Sequence, residues 1–370
     1  MRSKFPFLFI GQVLVFFSIF SCSIEKSSKQ ATSSLKKSEL VVSHGDFILN
    51  NFAFFNMIVG SDSLLTYDQR SEKFVLFNLS SKKPIGDYNA KVEGPNFVDF
   101  PIYDINIEGG KIYALSKLFF SIYTLEGDII ERYDSKDIKG LNSDFMITEF
   151  ELIDSKSVIF NKVPMQGIIG GLKSNLRPNI FCLLDLKTRS TNDLEIYSPK
   201  EALIDNTDLG YYNDFAFHNM TYKNDSIIYS FAFSSNIYTS QIRNSKTSIY
   251  STKSELTENE RKPTNPNVLK SAEWMKYVFS GPKFSALSRD DKTGNYARVH
   301  SEFKLLPNGK NYNFKYLMIM NSKFEVLNEI EIEERIIEPA IFSNGKIYLK
   351  KTDQTQEDAF QFIVYEIINN

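Results

Sequence analysis

The sequence predicts an all-β fold, a six-bladed β-propeller, and three observations predict it. First, aromatics make up 14% of the 370 residues, with 32 Phe and 19 Tyr. Aromatic and β-branched side chains suit the pleated, half-buried surface of a sheet. Second, a unit made of a turn followed by Ser or Lys and then apolar residues or Tyr starts at Ser63, Lys111, Ser157, Ser226 and Lys346, with a degenerate copy at Asn295-Tyr296-Ala297. Three of the five spacings are 46 to 51 residues, near the period of a four-stranded blade, and the other two are about 70, which implies insertions. Third, apolar strand-like segments stand at both ends of the repeating region, as ring closure requires.

In chain order, residues 1–21 read as an export signal. Arg2 and Lys4 precede an apolar run over 5–20, and Ser21 is a small residue at the cut. The run of about 16 residues, interrupted by Pro6, Gly11 and Gln12, is shorter than the roughly 20 needed to cross a bilayer. The segment Ile19-Phe20-Ser21-Cys22 resembles the lipobox of bacterial lipoproteins, with Phe20 bulkier than the usual residue. That resemblance implies a diacylglyceryl thioether on Cys22 and cleavage before it, and Ser23 in place of Asp implies the outer membrane. Two or three acyl chains hold firmly, each buried methylene adding about 0.8 kcal/mol. Residues 22–39, rich in Ser and Lys, lack the apolar groups to offset ordering and read as a flexible tether.

Residues 40–370 read as the propeller. Within a unit, short alternating strands are joined by Gly-containing turns, as in Ile105-Asn106-Ile107-Glu108-Gly109-Gly110-Lys111-Ile112-Tyr113. Either Leu40-Val41-Val42 or Phe47-Ile48-Leu49 is expected to pair with 362–367 and close the ring. A sandwich followed by a second all-β domain is the competing architecture. Insertions interrupt the rhythm near 162–178 and 253–279. The second has helical potential around Ala272-Glu273-Trp274-Met275. Loops inserted in a rigid β scaffold commonly carry binding.

Composition excludes several classes of function. Forty-three Lys+Arg against 45 Asp+Glu leaves a formal charge of −2, which provides no electrostatic footprint for nucleic acid. The three histidines, His44, His218 and His300, have no ligand-like spacing. No G-x-S-x-G elbow, H-E-x-x-H or phosphate-binding G-x-x-x-x-G-K-[ST] occurs. Asp290-Asp291-Lys292-Thr293-Gly294-Asn295 lacks the calcium-loop spacing and reads as a hairpin turn. Cys182 lies in an apolar run and reads as a buried thiol. No cofactor is expected.

Four residues stand out as ligand-binding candidates: Trp274, Arg298, His300 and Arg177. Trp274, the lone tryptophan, either anchors a partner or packs its helix onto the propeller rim. Arg298 and His300 alternate on one expected strand and share a face. They bind an anion if that face lines the channel and are solvated otherwise. Arg177 sits in the Gly-rich 162–178 loop. Asp104, Glu149, Asp214 and Asn219 come from separate units and are candidates to converge on the channel.

Glu93-Gly94-Pro95-Asn96-Phe97 and Ser280-Gly281-Pro282-Lys283-Phe284 resemble one another. Together with the lipobox, the six-fold rhythm and Leu287-Ser288-Arg289-Asp290-Asp291 before Tyr296-Ala297-Arg298, they make the chain similar to Bacteroidota lipoproteins with a TolB-like six-bladed propeller domain of unknown function. The resemblance covers most of the mature chain and implies address and fold. The expected function is a lipid-anchored envelope binding or scaffold module presenting a loop face to a protein, peptide or glycan, with the membrane reached through the lipid. Alternatives are a metal-dependent lactonase-like or glycan-acting hydrolase with a channel site, and a sensor partner for a membrane transporter.

Overall fold

The computed structural model describes residues 33–369 except 48, 50–55, 58–61, 69, 91–93, 95–96, 100, 135, 137, 139–144, 165–167, 170–178, 200–208, 213–217, 266, 269–272, 306–310 and 354–357. Cys22, Arg177 and Asp214 lie outside the described residues.

The chain is a six-bladed β-propeller, each blade an antiparallel sheet. Blade 1 is Asn56–Met57, Ser63–Asp68, Lys73–Asn78 and Lys83–Asn89, and blade 2 is Ile102–Glu108, Lys111–Ser116, Phe119–Thr124 and Ile129–Asp134. Blade 3 is Phe150–Asp154, Ser157–Asn161, Phe181–Asp185 and Ser190–Asp193. Blade 4 is His218–Lys223, Ser226–Phe231, Ile237–Gln241 and Thr247–Tyr250. Blade 5 has a broken inner strand, Gly281–Phe284 and Ser288–Arg289, followed by Tyr296–Leu305, Asn311–Met320 and Val326–Ile332. Blade 6 is Ile336–Ser343, Lys346–Lys351, Ala359–Asn369 and, outermost, Ser33–Ser43. The repeat read from sequence begins the second strand of every blade.

Closure comes from the first described strand. Ser33–Ser43 pairs antiparallel with Ala359–Asn369, so that Leu40 faces Phe362 and Val42 faces Phe360. Of the two candidate closing segments, the structure uses the one containing Leu40-Val41-Val42. It also moves a boundary: residues 33–39, read as the end of a tether, are strand. Their polar composition misleads because an outermost strand is held largely by backbone hydrogen bonds and needs only alternate apolar contacts. Leu35 packs toward the seam between blades 5 and 6, and Leu40 and Val42 toward that between blades 6 and 1.

The core is divided among the seams between blades. Among the described residues, six buried clusters correspond to the six seams. Phe120 of blade 2 meets Phe160 of blade 3 at 5.1 Å, edge to face. Phe181 of blade 3 meets Tyr229 of blade 4 at 5.2 Å, and Phe77 of blade 1 meets Phe360 of blade 6 at 5.6 Å. Each such ring, fully buried, contributes roughly 1.5–3 kcal/mol by removal from water. Aromatic richness is therefore what radial stacking uses.

The antiparallel order puts all hairpin turns between first and second and between third and fourth strands at one end of the ring. Connections between blades emerge at the opposite end. The 253–279 insertion is one of these connections and carries a six-residue helix, Glu273–Val278, inside the segment expected to be helical. The Asp290–Asn295 segment is a hairpin turn as expected. Asp290 N donates to Asn295 O at 2.9 Å, and the Asp290 carboxylate accepts from the Thr293 hydroxyl at 2.6 Å.

Candidate functional site

The first strand of each blade is innermost, beside the central channel, and its side chains turn alternately toward the two neighbouring blades. Three carboxylates meet there. Asp104 accepts from Ile105 N at 2.8 Å and, across the seam, from Phe150 N at 2.9 Å. Glu149, immediately before the blade 3 inner strand, accepts from Asn219 Nδ2 at 2.5 Å and Met220 N at 3.0 Å in blade 4. Two residues on, and therefore on the same side, Glu151 accepts from the Thr221 hydroxyl and Tyr222 N.

Burial, the largest influence, pushes the Glu149 carboxyl up to about 7, with Asp104 adding to the rise and Asn219 opposing it. Burial pushes Glu151 up to about 8, again with Asp104 adding to the effect. Both carboxyls tie blade 3 to blade 4 through these hydrogen bonds. Asp104, Glu149 and Asn219 thus converge as the sequence allowed. Glu151 escaped notice, although its position two residues from Glu149 on a strand was the available signal. Among the described residues, no group of three or more His, Cys, Asp or Glu is arranged to hold a metal ion.

Arg298 and His300 lie elsewhere. They share a face as expected, but they occupy the second strand of blade 5, whose faces pack against neighbouring blades. Ala297 and Val299 turn toward blade 6, and Tyr296, Arg298 and His300 toward blade 4. Neither a channel lining nor a solvated face results: both residues have no solvent exposure, at 0% each.

Arg298 Nη2 donates to Ser235 O at 2.5 Å and Thr252 Oγ1 at 2.9 Å, with the guanidinium 4.7 Å above the Phe284 ring. Burial lowers its pKa to about 9, and Glu329 counteracts. His300 Nε2 is 2.7 Å from Glu329 Oε1, and its Nδ1 is 3.1 Å from Thr257 Oγ1. Burial lowers its pKa, opposed by that carboxylate. These groups anchor the 253–279 insertion and the outer strand of blade 5 to the seam.

The insertion folds back over blade 5 and leaves a cleft of about 520 Å³ beneath its helix. Arg261 is the pin: buried, it donates to Tyr277 O at 2.6 Å and Pro282 O at 3.1 Å. Nothing in the polar run around it marks that role in the sequence. Glu258, Lys262, Glu273, Lys276 and Glu302 stand around the cleft. Trp274 is half-buried, 6.2 Å from Tyr277, and packs on the blade 3–4 cluster, so it attaches the helix to the ring. Its neighbour Met275 is 55% exposed.

Comparisons with known proteins agree with this architecture. A family model described as a domain of unknown function, DUF4221, matches residues 32–331. A crystal structure of a DUF4221 member from Bacteroides vulgatus superposes with a TM-score of 0.70 at 15% identity, covering 92% of this chain and 100% of that one. A protein from Bacteroides fragilis, described as exported, superposes with a TM-score of 0.58 at 11% identity, covering 90% of this chain and 95% of that one. No curated protein matches the sequence.

Proposed function

The chain belongs to the DUF4221 family, a domain of unknown function, and on that premise we propose that it is a lipid-anchored outer-membrane protein whose propeller binds or scaffolds another envelope protein, a peptide or a glycan. Support for the address comes from the lipobox-like segment ending at Cys22 and from the fold it shares with a protein described as exported. Among the described residues, no helix is long and apolar enough to cross a membrane.

The observation that carries the binding reading is the insertion cleft. A connection between blades is pinned by Arg261 over blade 5, beside an exposed Met275 and five charged side chains. A rigid ring presents such a surface with little ordering cost. Capture from gently solubilised membranes tests it. The full chain is expected to retain a defined envelope partner, and Lys262→Glu/Lys276→Glu is expected to lose it without a change in thermal unfolding. Equal retention by the double variant overturns the assignment of this face.

A glycan-acting hydrolase has one observation in its favour. Glu149 and Glu151 carry raised pKa values beside the channel, as general acids and bases often do. Both are also held by hydrogen bonds from blade 4, which accounts for them structurally. Metal analysis of the mature protein, together with glycan and lactone turnover, separates the readings. A stoichiometric divalent ion or turnover abolished by Glu151→Gln establishes the enzyme.

A further inference from the structure

The seam between blades 4 and 5 opens at its other end, among the hairpin turns, into a second cleft of about 500 Å³. That volume is within the usual range for small-ligand sites, about 300–1,000 Å³. Its lining has an uneven chemistry. Lys223 and Lys246 contribute two cations, Arg289 contributes a third that Asp291 pairs, and among the described residues no Asp or Glu lines it. The neighbouring carboxylates are engaged: Asp225 by Arg243 at 2.8 Å, and Asp291 by Arg289 itself. Tyr250 and Tyr296 each stand 4.8 Å from Phe324, forming an aromatic floor, with Tyr250 half-buried. Ser226, Thr239, Gln241, Ser248 and Ser322 surround that floor with hydroxyl and amide groups.

We propose that this cleft between blades 4 and 5 binds a sugar bearing an anionic group. Cations without lining carboxylates favour a carboxylate or phosphate. Hydroxyl and amide side chains match a polyol, and an aromatic face packs against the apolar side of a pyranose ring. Among the described residues, the apolar cluster of this seam has Ile228, Ile237, Tyr296, Met318, Met320 and Phe324 as its buried members. The cleft lies at the opposite end of the ring from the insertion cleft, and the site stands whether or not that face binds a partner. A lipid-linked and a free acidic glycan share this chemistry and are the two sources of the ligand.

Calorimetric titration of the full chain in detergent tests the proposal with three probes: digalacturonate, neutral digalactoside, and deacylated lipopolysaccharide carrying its phosphates. Saturable binding of digalacturonate at least tenfold tighter than the neutral sugar supports the site and a free acidic glycan. Saturable binding of deacylated lipopolysaccharide alone supports the site and the lipid-linked source. In either case Lys223→Ser/Lys246→Ser is expected to weaken binding at least tenfold with unchanged thermal unfolding, while Lys223→Arg/Lys246→Arg retains it. Raising salt from about 0.1 M to about 1 M is expected to weaken it as well. Failure of both anionic probes to saturate, equal affinity for the neutral sugar, or full affinity in the double Ser variant overturns the proposal.

Discussion

Asn219 of blade 4 donates its side-chain amide to the Glu149 carboxylate of blade 3 at 2.5 Å, and this hydrogen bond crosses a seam where the adjoining backbone N–H of Met220 reaches the other carboxylate oxygen. The seam is held by a group whose proton affinity burial has raised. An acid with a raised folded pKa binds its proton more tightly folded than unfolded. Its stabilising contribution is present below the unfolded value near 4.5 and is lost as pH rises through about 7 for Glu149 and about 8 for Glu151. The variant Glu149→Gln/Glu151→Gln is therefore expected to lose part of the wild-type decline in stability between those limits, by about 1–3 kcal/mol. Urea melts of both proteins at several pH values check this, and parallel pH profiles would count against it.

His218 supplies the opposite slope. Buried, with Nε2 3.1 Å from Ile180 O, it is lowered to about 4 by burial, with the hydrogen bond opposing. A base with a depressed folded pKa gives stability that is present above about 6.5 and lost as pH falls toward about 4. Replacement by Phe, which keeps the ring among Phe181 and Phe231, is expected to flatten that acid limb in the same melts.

Arg298 serves the seam, and its loss is expected to appear in stability. Arg298→Ala takes from Thr252 Oγ1 its donor, leaves Ser235 O with the Thr252 hydroxyl alone and opens a void under Phe284, at a cost of about 2–5 kcal/mol. Arg298→Met, which fills the space without the charge, is expected to cost less. Denaturation midpoints for the two variants decide it, and a fully stable Arg298→Ala protein would show that the buried guanidinium is dispensable.

Gly127 is a backbone position with no alternative. Its φ is +89°, and a Cβ there would meet the Asn89 carbonyl oxygen at 2.4 Å, so the blade 2 turn can lie against blade 1 only without a side chain. Gly127→Ala is expected to destabilise by about 1–3 kcal/mol. Gly109→Ala, where a Cβ meets nothing within 4 Å, is expected to cost less despite its φ of +55°.

The blade count and the second strand of every blade were legible because each repeats a turn followed by an alternating apolar run. The closing segment was legible because apolar strands stand at both ends of the chain. The boundary at Ser33 was not, since Ser34, Lys36 and Lys37 resemble a solvated spacer until Ala359–Asn369 provides an edge to pair with. The convergence of Asp104, Glu149 and Asn219 was readable as a possibility only, because their meeting depends on the angular order of three blades. Arg298 and His300 were correctly placed on one face. What that face meets depends on which strand of its blade carries it, and a short-period pattern does not encode that rank.

The pairing of Ser33–Ser43 with Ala359–Asn369 also orders events in time. Blade 6 takes its outer strand from the start of the polypeptide and its remaining strands from the end, so the earliest synthesised part of the domain must wait for the last. Five blades can accumulate contacts as the chain lengthens, but the ring acquires its final cooperativity only on completion. A chain cut before Ala359 is left with two unpaired sheet edges, and such edges invite association with other copies.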